Sequence, residues 1–511
     1  MRSFGSGFLT NWAAEVRRDL ELQLMGRTAE GSGHGIPQVS ASRWRSTCVP
    51  MVAFILLAGC GVSLDPLLPE EAANSIDAER FALLARLIHI TDIHVTDEES
   101  PARLTAFAGL AENAWRPQEA YSTQVLDGFV RTINKMHVAR HPIDFVIVTG
   151  DATDNAQLNE LSWFITIMDG GRVDPLTGPD DRDPGLLPDP LLDPHQPFEA
   201  QGLYRNGVHG DALTIDWYSL LGNHDRFAVG VFPIVTDFSG RRISLLPLQE
   251  RVGLFFPVYL DPIGSLSWAP ITPGNPGPPP EINLPRRVQA NPERRYFTDQ
   301  EFVQAHLQSV GGPPGHGFDA GHPERTWYSV SPLAGLRLIG LNSATPQIEV
   351  PTLPYSEGAI SFAQVRFLER ELARAQEAGE WVIVATHHPS DALERGLGTA
   401  ISASAFRRTL NRYPCVRLHL SGHWHEDVVF DRGGYREIVT GSALDRPQRG
   451  RVVELWRQID PQTSEPAPED ITIRYWYFSH LDEIAPPDGS HAELFDDPLL
   501  PMRRVAAELA R

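Results

Sequence analysis

Six short apolar runs, each followed at once by polar residues, constrain the fold of this 511-residue chain most strongly. The runs are rich in Val, Ile and Leu, a composition and length typical of buried strands. Apolar residues at helical spacing lie between some of them, over 125–136 and 360–375. Strands that alternate with helices predict an α/β layered domain that binds its ligands beyond the carboxyl ends of the strands. The runs are 86–91, 144–149, 217–221, 336–341, 381–386 and the segment that begins at Val416.

Two long insertions interrupt this pattern. Residues 170–212 are rich in Asp, Pro and Gly, and residues 227–325 are rich in Pro. Loops of this length usually form functional lids or flexible segments. We therefore predict one core domain over 86–456 that carries both insertions as long loops. Residues 457–511 form a C-terminal extension, with a strand-like stretch at 471–479, that we expect to pack on the core.

The charge balance of the chain argues against one class of partner. There are 44 Lys and Arg residues against 65 Asp and Glu residues, for a formal net charge of -21. A non-specific nucleic-acid binder needs a basic surface that displaces counterions. No nucleic acid is therefore expected. A small anionic substrate remains compatible with this charge, because a local metal ion outweighs a distant negative field.

The N-terminal segment has the pattern of an export signal. Two arginines precede an apolar run at 49–58, which is shorter than the roughly 20 apolar residues of a membrane-spanning helix. A positive flank, a short apolar core and small residues at the end are typical of a secretory signal. The ending Leu57-Ala58-Gly59-Cys60 resembles the bacterial lipobox, which implies cleavage before Cys60 and lipid attachment to its sulfur. The alternative is a buried helix that ends in a chance cysteine.

These features divide the front of the chain into two segments. Residues 1–59 are the predicted signal, and residues 60–85 are the predicted tether. The expected location is the periplasm or the cell envelope, with the membrane contacted through the lipid anchor.

Five polar clusters follow the predicted strands. Asp-x-His, Gly-Asp or Gly-His-x-His alone is weak evidence for a metal site, because such residues also occur in ordinary turns. Together they supply carboxylates, which neutralise positive charge, and imidazoles, which select transition metals over Mg and Ca. The clusters are Asp92 and His94; Asp151; Asn223, His224 and Asp225; His387 and His388; and His423 and His425.

In this order the clusters resemble the calcineurin-like metallophosphoesterases, a superfamily whose series is D-x-H, G-D, G-N-H-D/E, a later His and G-H-x-H. The resemblance covers roughly residues 86–456 and implies a layered αββα sandwich. It also implies two transition-metal ions, divalent or trivalent, with Mn, Fe and Zn all accepted. One ion would be held by Asp92, His94, Asp151 and His425, and the other by Asp151, Asn223, His387 and His423.

The resemblance also implies a reaction, in which a metal-bridged hydroxide attacks the phosphorus of a small phosphoester. His224 would protonate the leaving oxygen, and Asp225 would hydrogen-bond its imidazole. Arg226 either contacts a phosphate oxygen or forms a surface salt bridge. Asn155 either lines the site as a substrate-binding residue or caps the helix that begins near Leu158.

Other residues indicate which subgroup of the superfamily the chain resembles. Asp154 stands where purple acid phosphatases have the tyrosine of their coloured iron site. The block "WRPQEAYSTQV" that begins at Trp115 resembles a bacterial exported subgroup of uncertain substrate. His388 is expected to support a ligand, and Trp424 to pack.

Three functions are compatible with this pattern. Phosphodiester hydrolysis is the first, a phosphomonoesterase (phosphatase or nucleotidase) is the second, and a non-catalytic metal-binding lipoprotein is the third. A serine hydrolase is disfavoured, because no G-x-S-x-G follows a predicted strand.

Overall fold

The computed structural model describes most of the chain after residue 79. The described residues are 80–100, 102, 116, 118–138, 142–177, 197–203, 215–237, 242–246, 258–260, 268–270, 285–287, 290–344, 357–394, 400–459 and 466–480. The predicted signal segment, Cys60 and residues 61–79 of the predicted tether lie outside them. Residues 81–85, which we assigned to the tether, instead belong to the first strand and pair with a strand near the C-terminus.

Two mixed β-sheets form the centre of the described structure. The first contains β1 (Phe81–Ile90), β2 (Phe145–Val148) and β5 (Asp216–Ser219) as parallel neighbours. The antiparallel strands β17 (Arg449–Ile459) and β18 (Pro466–Ser479) complete it in the order β18-β17-β1-β2-β5. The long pairing of β17 with β18 places the predicted strand at 471–479 at the edge of this sheet.

The second sheet has six strands in the order β11-β12-β13-β14-β16-β15. Its central strands are parallel, and β11 and β15 run antiparallel at the two edges. The strands are β11 (Tyr328–Leu333), β12 (Leu336–Gly340), β13 (Trp381–Ala385), β14 (Val416–Ser421), β15 (Val428–Asp431) and β16 (Arg436–Val439).

Within the described residues, five helices cover the sheets. The α1 helix packs Phe129 against Phe478 of β18, and α2 packs Phe164 against Trp217 of β5. Ser361 caps α4 by accepting a hydrogen bond from the backbone of Gln364. The helices are α1 (Ser122–Val138), α2 (Leu158–Asp169), α3 (Asp299–Gln308), α4 (Phe362–Ala378) and α5 (Ala403–Asn411), with 3-10 turns at Glu119–Tyr121, Pro292–Arg294, Pro314–Gly317 and Ser390–Ala392.

Alternating side chains of the strands explain the layers. Leu338 of β12 lies in the same buried cluster as Leu87 of β1, between the sheets. Its neighbour Ile339 faces the other way and packs with Leu368 of α4 and Phe406 of α5. Successive residues of a strand point to opposite faces, so one strand serves both cores. The result is the α/β fold with an αββα arrangement that the sequence predicted.

The two insertions contain more structure than long loops. The first includes the β3–β4 hairpin (Gly171–Val173 and Phe198–Ala200). In the second, Phe302 of α3 and nearby Tyr296 are buried in the main core. Aromatic residues there remove apolar surface from water, which explains why this part packs on the domain. The second insertion also holds β6 (Ile234–Thr236), β7 (Arg242–Leu246), β8 (Val258–Leu260), β9 (Trp268–Pro270) and β10 (Pro285–Arg287).

Across the part of the chain that the structure describes, no helix has the length and apolar character needed to cross a membrane.

Candidate metal centre

The predicted ligands follow parallel strands of both sheets and meet at one edge. The loops after β1, β2 and β5 come from the first sheet, and those after β13 and β14 from the second. The carboxyl ends of parallel strands open on the same edge of a sheet, which is why these loops converge. All seven residues predicted as ligands lie together there: Asp92, His94, Asp151, Asn223, His387, His423 and His425.

One group of potential ligands comes from the loops after β1 and β14. Nε2 of His425 lies 3.2 Å from Oδ1 of Asp92. The same nitrogen lies 3.2 Å from Nε2 of His94. Asp92 is itself held by the backbone N–H of His423, which donates to Oδ2 at 2.9 Å. Two imidazole nitrogens and a carboxylate oxygen thus point at one small volume.

A second group is centred on the amide of Asn223. Its Oδ1 lies 2.9 Å from Nε2 of His387 and 3.1 Å from Nδ1 of His423. The amide nitrogen of Asn223 donates to the backbone carbonyl of Gly230 at 3.0 Å. That bond sets the orientation of the amide, so that its oxygen, an atom able to bind a metal ion, faces the histidines.

Asp151 lies between the two groups. Its Oδ2 is 3.2 Å from Nε2 of His387 and 4.0 Å from Nε2 of His94. Its Oδ1 accepts a hydrogen bond from the backbone N–H of His224 at 2.8 Å. Oδ2 is buried and has no hydrogen bond of acceptable geometry with any described residue. A buried carboxylate oxygen among imidazole nitrogens fits a bridging metal ligand, because burying it without a partner is costly.

The backbone of the site is strained at several of the predicted ligands. Residues other than glycine rarely adopt positive φ, and such strain clusters at functional sites. Five of the predicted ligands do so: Asp92 (φ 51°), His94 (49°), Asp151 (50°), His423 (71°) and His425 (56°).

Hydrogen-bond acceptors behind the histidines set which ring nitrogen faces the centre. Nδ1 of His425 lies 2.6 Å from Oδ2 of Asp445, and Nδ1 of His94 lies 3.2 Å from Oδ1 of Asp154. Nδ1 of His387 lies 2.9 Å from the backbone carbonyl of Thr149. An acceptor at Nδ1 places the ring proton there and leaves Nε2 with a lone pair for a metal. The hydrogen bonds at His387 and His425 therefore give tautomers that suit metal binding, whereas Nδ1 of His94 lies only within ion-pair distance of Asp154.

Nearby carboxylates raise the pKa values of two of these histidines, His387 and His425. Burial lowers the pKa of His387, but Asp151 and Asp92 outweigh it and raise the pKa to about 9. Burial also lowers the pKa of His425, but Asp92 and Asp445 outweigh this effect and raise the pKa to about 10. Protons on these rings are therefore competitors of a metal ion, and metal binding must displace them.

Asp225 does not bind the imidazole of His224 as we predicted. Its carboxylate accepts backbone hydrogen bonds from Gly222 at 2.9 Å and from Thr153 at 2.8 Å. Nδ1 of His224 instead lies 2.6 Å from the backbone carbonyl of Asp154 and 3.5 Å from its Oδ1. The prediction was wrong because adjacent residues in this turn point to different sides. Asp225 joins the loops after β2 and β5, and Asp154 orients His224.

Arg226 forms the salt bridge that was the alternative to phosphate contact. Nη2 lies 2.9 Å from Oδ2 of Asp299, and Nη1 donates to the carbonyl of Ala344 at 2.9 Å. A guanidinium held by two partners in the chain is not directed at a substrate, so the structure does not support the substrate-binding assignment.

Asn155 is also occupied by the chain. Its Oδ1 accepts a hydrogen bond from the backbone N–H of Val229 at 2.6 Å, and its side chain is buried. It does not cap α2, because Gln157 and Glu160 form the capping box there. Both interpretations of Asn155 were therefore incomplete: it anchors the loop after β5.

His388 and Trp424 lie beside the centre. Nδ1 of His388 lies 2.8 Å from Oγ of Ser343, and its ring centroid is 4.3 Å from that of His423. Trp424 is buried in a small apolar cluster with Phe430, as predicted. His388 thus supports the ring of a predicted ligand.

Three residues that contribute to the site were not identified from the sequence. Asp154 was noted only as a departure from another family, and Asp445 and Arg116 were not considered. A polar residue after β16, at the same sheet edge as the other loops, was the available signal for Asp445. Arg116 precedes α1 and carried no signal beyond the block that contains it.

The sequence model of the calcineurin-like phosphoesterases matches residues 85–427. Among solved structures, the chain is similar to a dimetal phosphatase from Danio rerio, at 12% identity and a TM-score of 0.39, over 77% of this chain and 99% of that one. A putative 5'-nucleotidase from Staphylococcus aureus shares 14% identity, with a TM-score of 0.30, over 76% and 54%. A calcineurin-like phosphoesterase from Bacillus subtilis shares 11%, with a TM-score of 0.30, over 84% and 98%. No curated protein matches the sequence.

The family of this chain is assigned from the sequence match, which spans more than half of the 511 residues and includes every predicted ligand from Asp92 to His425. The buried Asp and His clusters of the structure are able to bind metal ions, as the dinuclear centre of the family requires. The chain belongs to the calcineurin-like phosphoesterase family and is a metal-dependent hydrolase that acts on phosphoric esters.

Proposed function

We propose that the protein hydrolyses phosphodiesters at a dinuclear centre, held by Asp92, His94, Asp151 and His425 on one side and by Asp151, Asn223, His387 and His423 on the other. Two ions bound there would polarise the phosphoryl group and supply hydroxide at neutral pH. The central position of Asp151, within 4.0 Å of histidines from both groups, is the observation that supports this assignment.

His224 is the proposed general acid. The backbone carbonyl of Asp154 only accepts hydrogen bonds, so Nδ1 of His224 carries a proton and Nε2 is the nitrogen that exchanges one. Oδ1 of Asp154 lies 3.5 Å from the same Nδ1. The ring of His224 lies edge-on to that of His94, with centroids 4.5 Å apart. An acid at this position would donate to the leaving alkoxide as the bond to phosphorus breaks.

The preference for a diester rests on the arginines near the centre. A monoester phosphate carries nearly two negative charges at neutral pH, whereas a diester carries one. Arg116 is paired with Asp154 and Asp445, and Arg226 is paired with Asp299. Each of these two guanidiniums is therefore neutralised inside the chain. Because these two positive charges are already paired with carboxylates of the chain, a substrate with a single negative charge is the better electrostatic match for the site.

Paired nitrophenyl esters test this proposal. Metal-depleted protein is reconstituted with Mn, Fe or Zn and assayed on bis(4-nitrophenyl) phosphate and on 4-nitrophenyl phosphate. We expect metal-dependent turnover with the diester preferred, and its loss in Asn223→Ala. Asn411→Ala, far from the ligands in α5, is the control and should remain active. Preference for the monoester would identify a phosphomonoesterase instead. Full metal loading without turnover would favour a protein that only binds metal.

We also propose that the protein is exported and anchored by lipid on Cys60. The basis is the sequence pattern of residues 43–60, which lie outside the described structure. Stable anchoring needs more than one acyl chain, which a lipoprotein cysteine carries. The test follows the protein in cell fractions with and without Cys60→Ala. Loss of membrane association is expected, and an unchanged distribution would reject lipidation.

A further inference from the structure

Arg116 occupies an unusual position beside the centre. Its side chain is buried, with 4% of its surface exposed. Nη1 lies 3.2 Å from Oδ1 of Asp154, and Nε lies 2.7 Å from Oδ1 of Asp445. A single guanidinium thus pairs with a buried carboxylate, Asp154, and a partly exposed one, Asp445, which come from distant parts of the chain, in the loops after β2 and β16.

Each of these carboxylates lies beside Nδ1 of a different histidine of the same ligand group. Asp154 lies 3.2 Å from Nδ1 of His94, and Asp445 lies 2.6 Å from Nδ1 of His425. The two histidines approach each other through Nε2 at 3.2 Å. The five side chains therefore form a closed ring, with Arg116 at the end opposite the metal-binding nitrogens.

The second ligand group is held in another way. Nδ1 of His387 is bound by the carbonyl of Thr149, and the amide of Asn223 is bound by the carbonyl of Gly230. Backbone carbonyls fix these ligands without any charged side chain. Loss of the Arg116 charge would therefore disturb the first group and leave the second in place.

We propose that Arg116 is a positioning residue that selectively sets the affinity of the metal ion bound by Asp92, His94 and His425. The planar fork of an arginine holds two carboxylates in a fixed relation, which a point charge cannot do. It keeps Asp154 and Asp445 turned toward the two imidazoles, and so keeps both Nε2 atoms directed at one volume. This inference deepens the proposed function, because it rests on the same ligand assignment, but it does not depend on which ester is hydrolysed.

Neighbouring residues reinforce this position. Oε2 of Glu119 accepts the backbone N–H of Arg116 at 3.1 Å. Nε2 of Gln118 donates to the carbonyl of Leu444 at 3.2 Å and to Oδ1 of Asp445 at 3.3 Å. These residues lie before α1, in the sequence block that begins at Trp115. They therefore tie that part of the chain to the loop that carries Asp445.

The test measures metal binding, independently of turnover. Metal-depleted protein is titrated with Co²⁺, followed by calorimetry and by visible absorption, which reports the ligand geometry. His425→Ala and His423→Ala assign the binding steps to the first and second groups. In Arg116→Met, we expect the Kd of the step affected by His425→Ala to rise about 10–100-fold, as for other residues that orient metal ligands. The other step should remain within about twofold.

Arg337→Met is the matched control, because Arg337 also pairs with two carboxylates, Glu380 and Glu371, but between β12 and α4. It should change neither step. If Arg116→Met does not fold, Asp445→Asn replaces it, since it breaks the same ring without removing the arginine. Equal weakening of both steps, weakening of only the step affected by His423→Ala, or no change would overturn the inference. Unaltered protein without two steps would overturn the proposed function itself.

Discussion

Gly222 packs directly against the carboxylate of Asp151, so closely that a Cβ atom at position 222 would overlap Oδ1 and the backbone nitrogen of Asp151. The backbone N–H of Gly222 also donates to Asp225, which accepts from Thr153 in the loop after β2. The loops after β2 and β5 are therefore in contact through their backbones. That contact brings the proposed bridging carboxylate beside Asn223.

Gly222→Ala should disable the centre without unfolding the domain. The added methyl must displace Asp151, because neither backbone can move away freely. We expect the metal content to fall below about two ions per chain and turnover to fall about 100-fold or more, as a misplacement of about 1 Å can cause. Metal analysis together with kinetics on the diester measures both effects.

The matched control for that variant is Gly335→Ala. Gly335 has φ +79° in the turn between β11 and β12, and no atom lies within 4 Å of a Cβ built there. The substitution strains the backbone by about 1–2 kcal/mol and touches nothing in the site. It should lower stability yet keep metal content and turnover. Equal activity in Gly222→Ala and Gly335→Ala would contradict the close packing.

Arg226→Met tests whether the arginine after the G-N-H-D motif binds substrate. Because its guanidinium is held by Asp299 and by the carbonyl of Ala344, we expect kcat/KM to change less than about threefold, equivalent to under 1 kcal/mol. Stability should fall by about 1 kcal/mol. Asp299→Asn, which removes the same ion pair, should give a similar loss. A fall of about 100-fold in kcat/KM with unchanged stability would restore the phosphate role.

The convergence of the candidate ligands could be predicted from the sequence, because each follows a buried apolar strand. Parallel strands end at a common edge, so residues distant in the chain, such as Asp92 and His425, were expected to meet. The resemblance to the family then assigned them to two groups. The described geometry agrees with that grouping, since His94 approaches His425 and Asn223 approaches His387.

The residues behind the ligands could not be predicted in the same way. Their partners depend on which side of a turn each side chain leaves, and on packing between loops. His224 and Asp225 are neighbours, yet one contacts Asp154 and the other the backbone of Gly222. Arg116 lies in no motif whose chemistry is readable from spacing, and its role appears only when Asp445 is placed beside it.

Glu437 should stabilise the second sheet in a pH-dependent way. Burial opposes its ionisation, but His419, Arg432 and Ser390 outweigh it and lower the pKa of Glu437 to about 2, below its ordinary value of 4.5. A lowered pKa in the folded state stabilises the protein above the unfolded value, and this contribution is lost as pH falls from about 4.5 toward about 2. Glu437→Gln should therefore cost about 3 kcal/mol of unfolding free energy at pH 7 and clearly less at about pH 3.

Urea denaturation of Glu437→Gln and of unaltered protein, at pH 7 and at about pH 3, measures this difference in unfolding free energy. Glu369→Gln serves as the control, because Glu369 pairs with Arg412 at the surface and such pairs contribute under about 1 kcal/mol. A difference between Glu437→Gln and unaltered protein that stays constant with pH would mean that Glu437 does not titrate in this range.

Metal removal should loosen the loops that carry the ligands. Asp92, His94 and Asp151 hold positive φ values after β1 and β2, a conformation that costs about 1–2 kcal/mol per residue and must be stabilised by other interactions. A bound ion supplies such an interaction, worth about 4 kcal/mol at a free concentration 1,000 times its Kd. Strain and metal binding are thus coupled.

We expect chelation to lower Tm and to raise amide hydrogen exchange in the loops after β1, β2 and β14, since the strained ligands can then relax. The 3-10 turn at Pro314–Gly317 is an internal control. His316 has φ 50° there, but its ring stacks on Trp217 and Nδ1 lies 3.0 Å from the carbonyl of Trp217, so metal removal should leave its exchange unchanged. Equal increases in the ligand loops and in this turn would indicate general destabilisation and contradict local coupling.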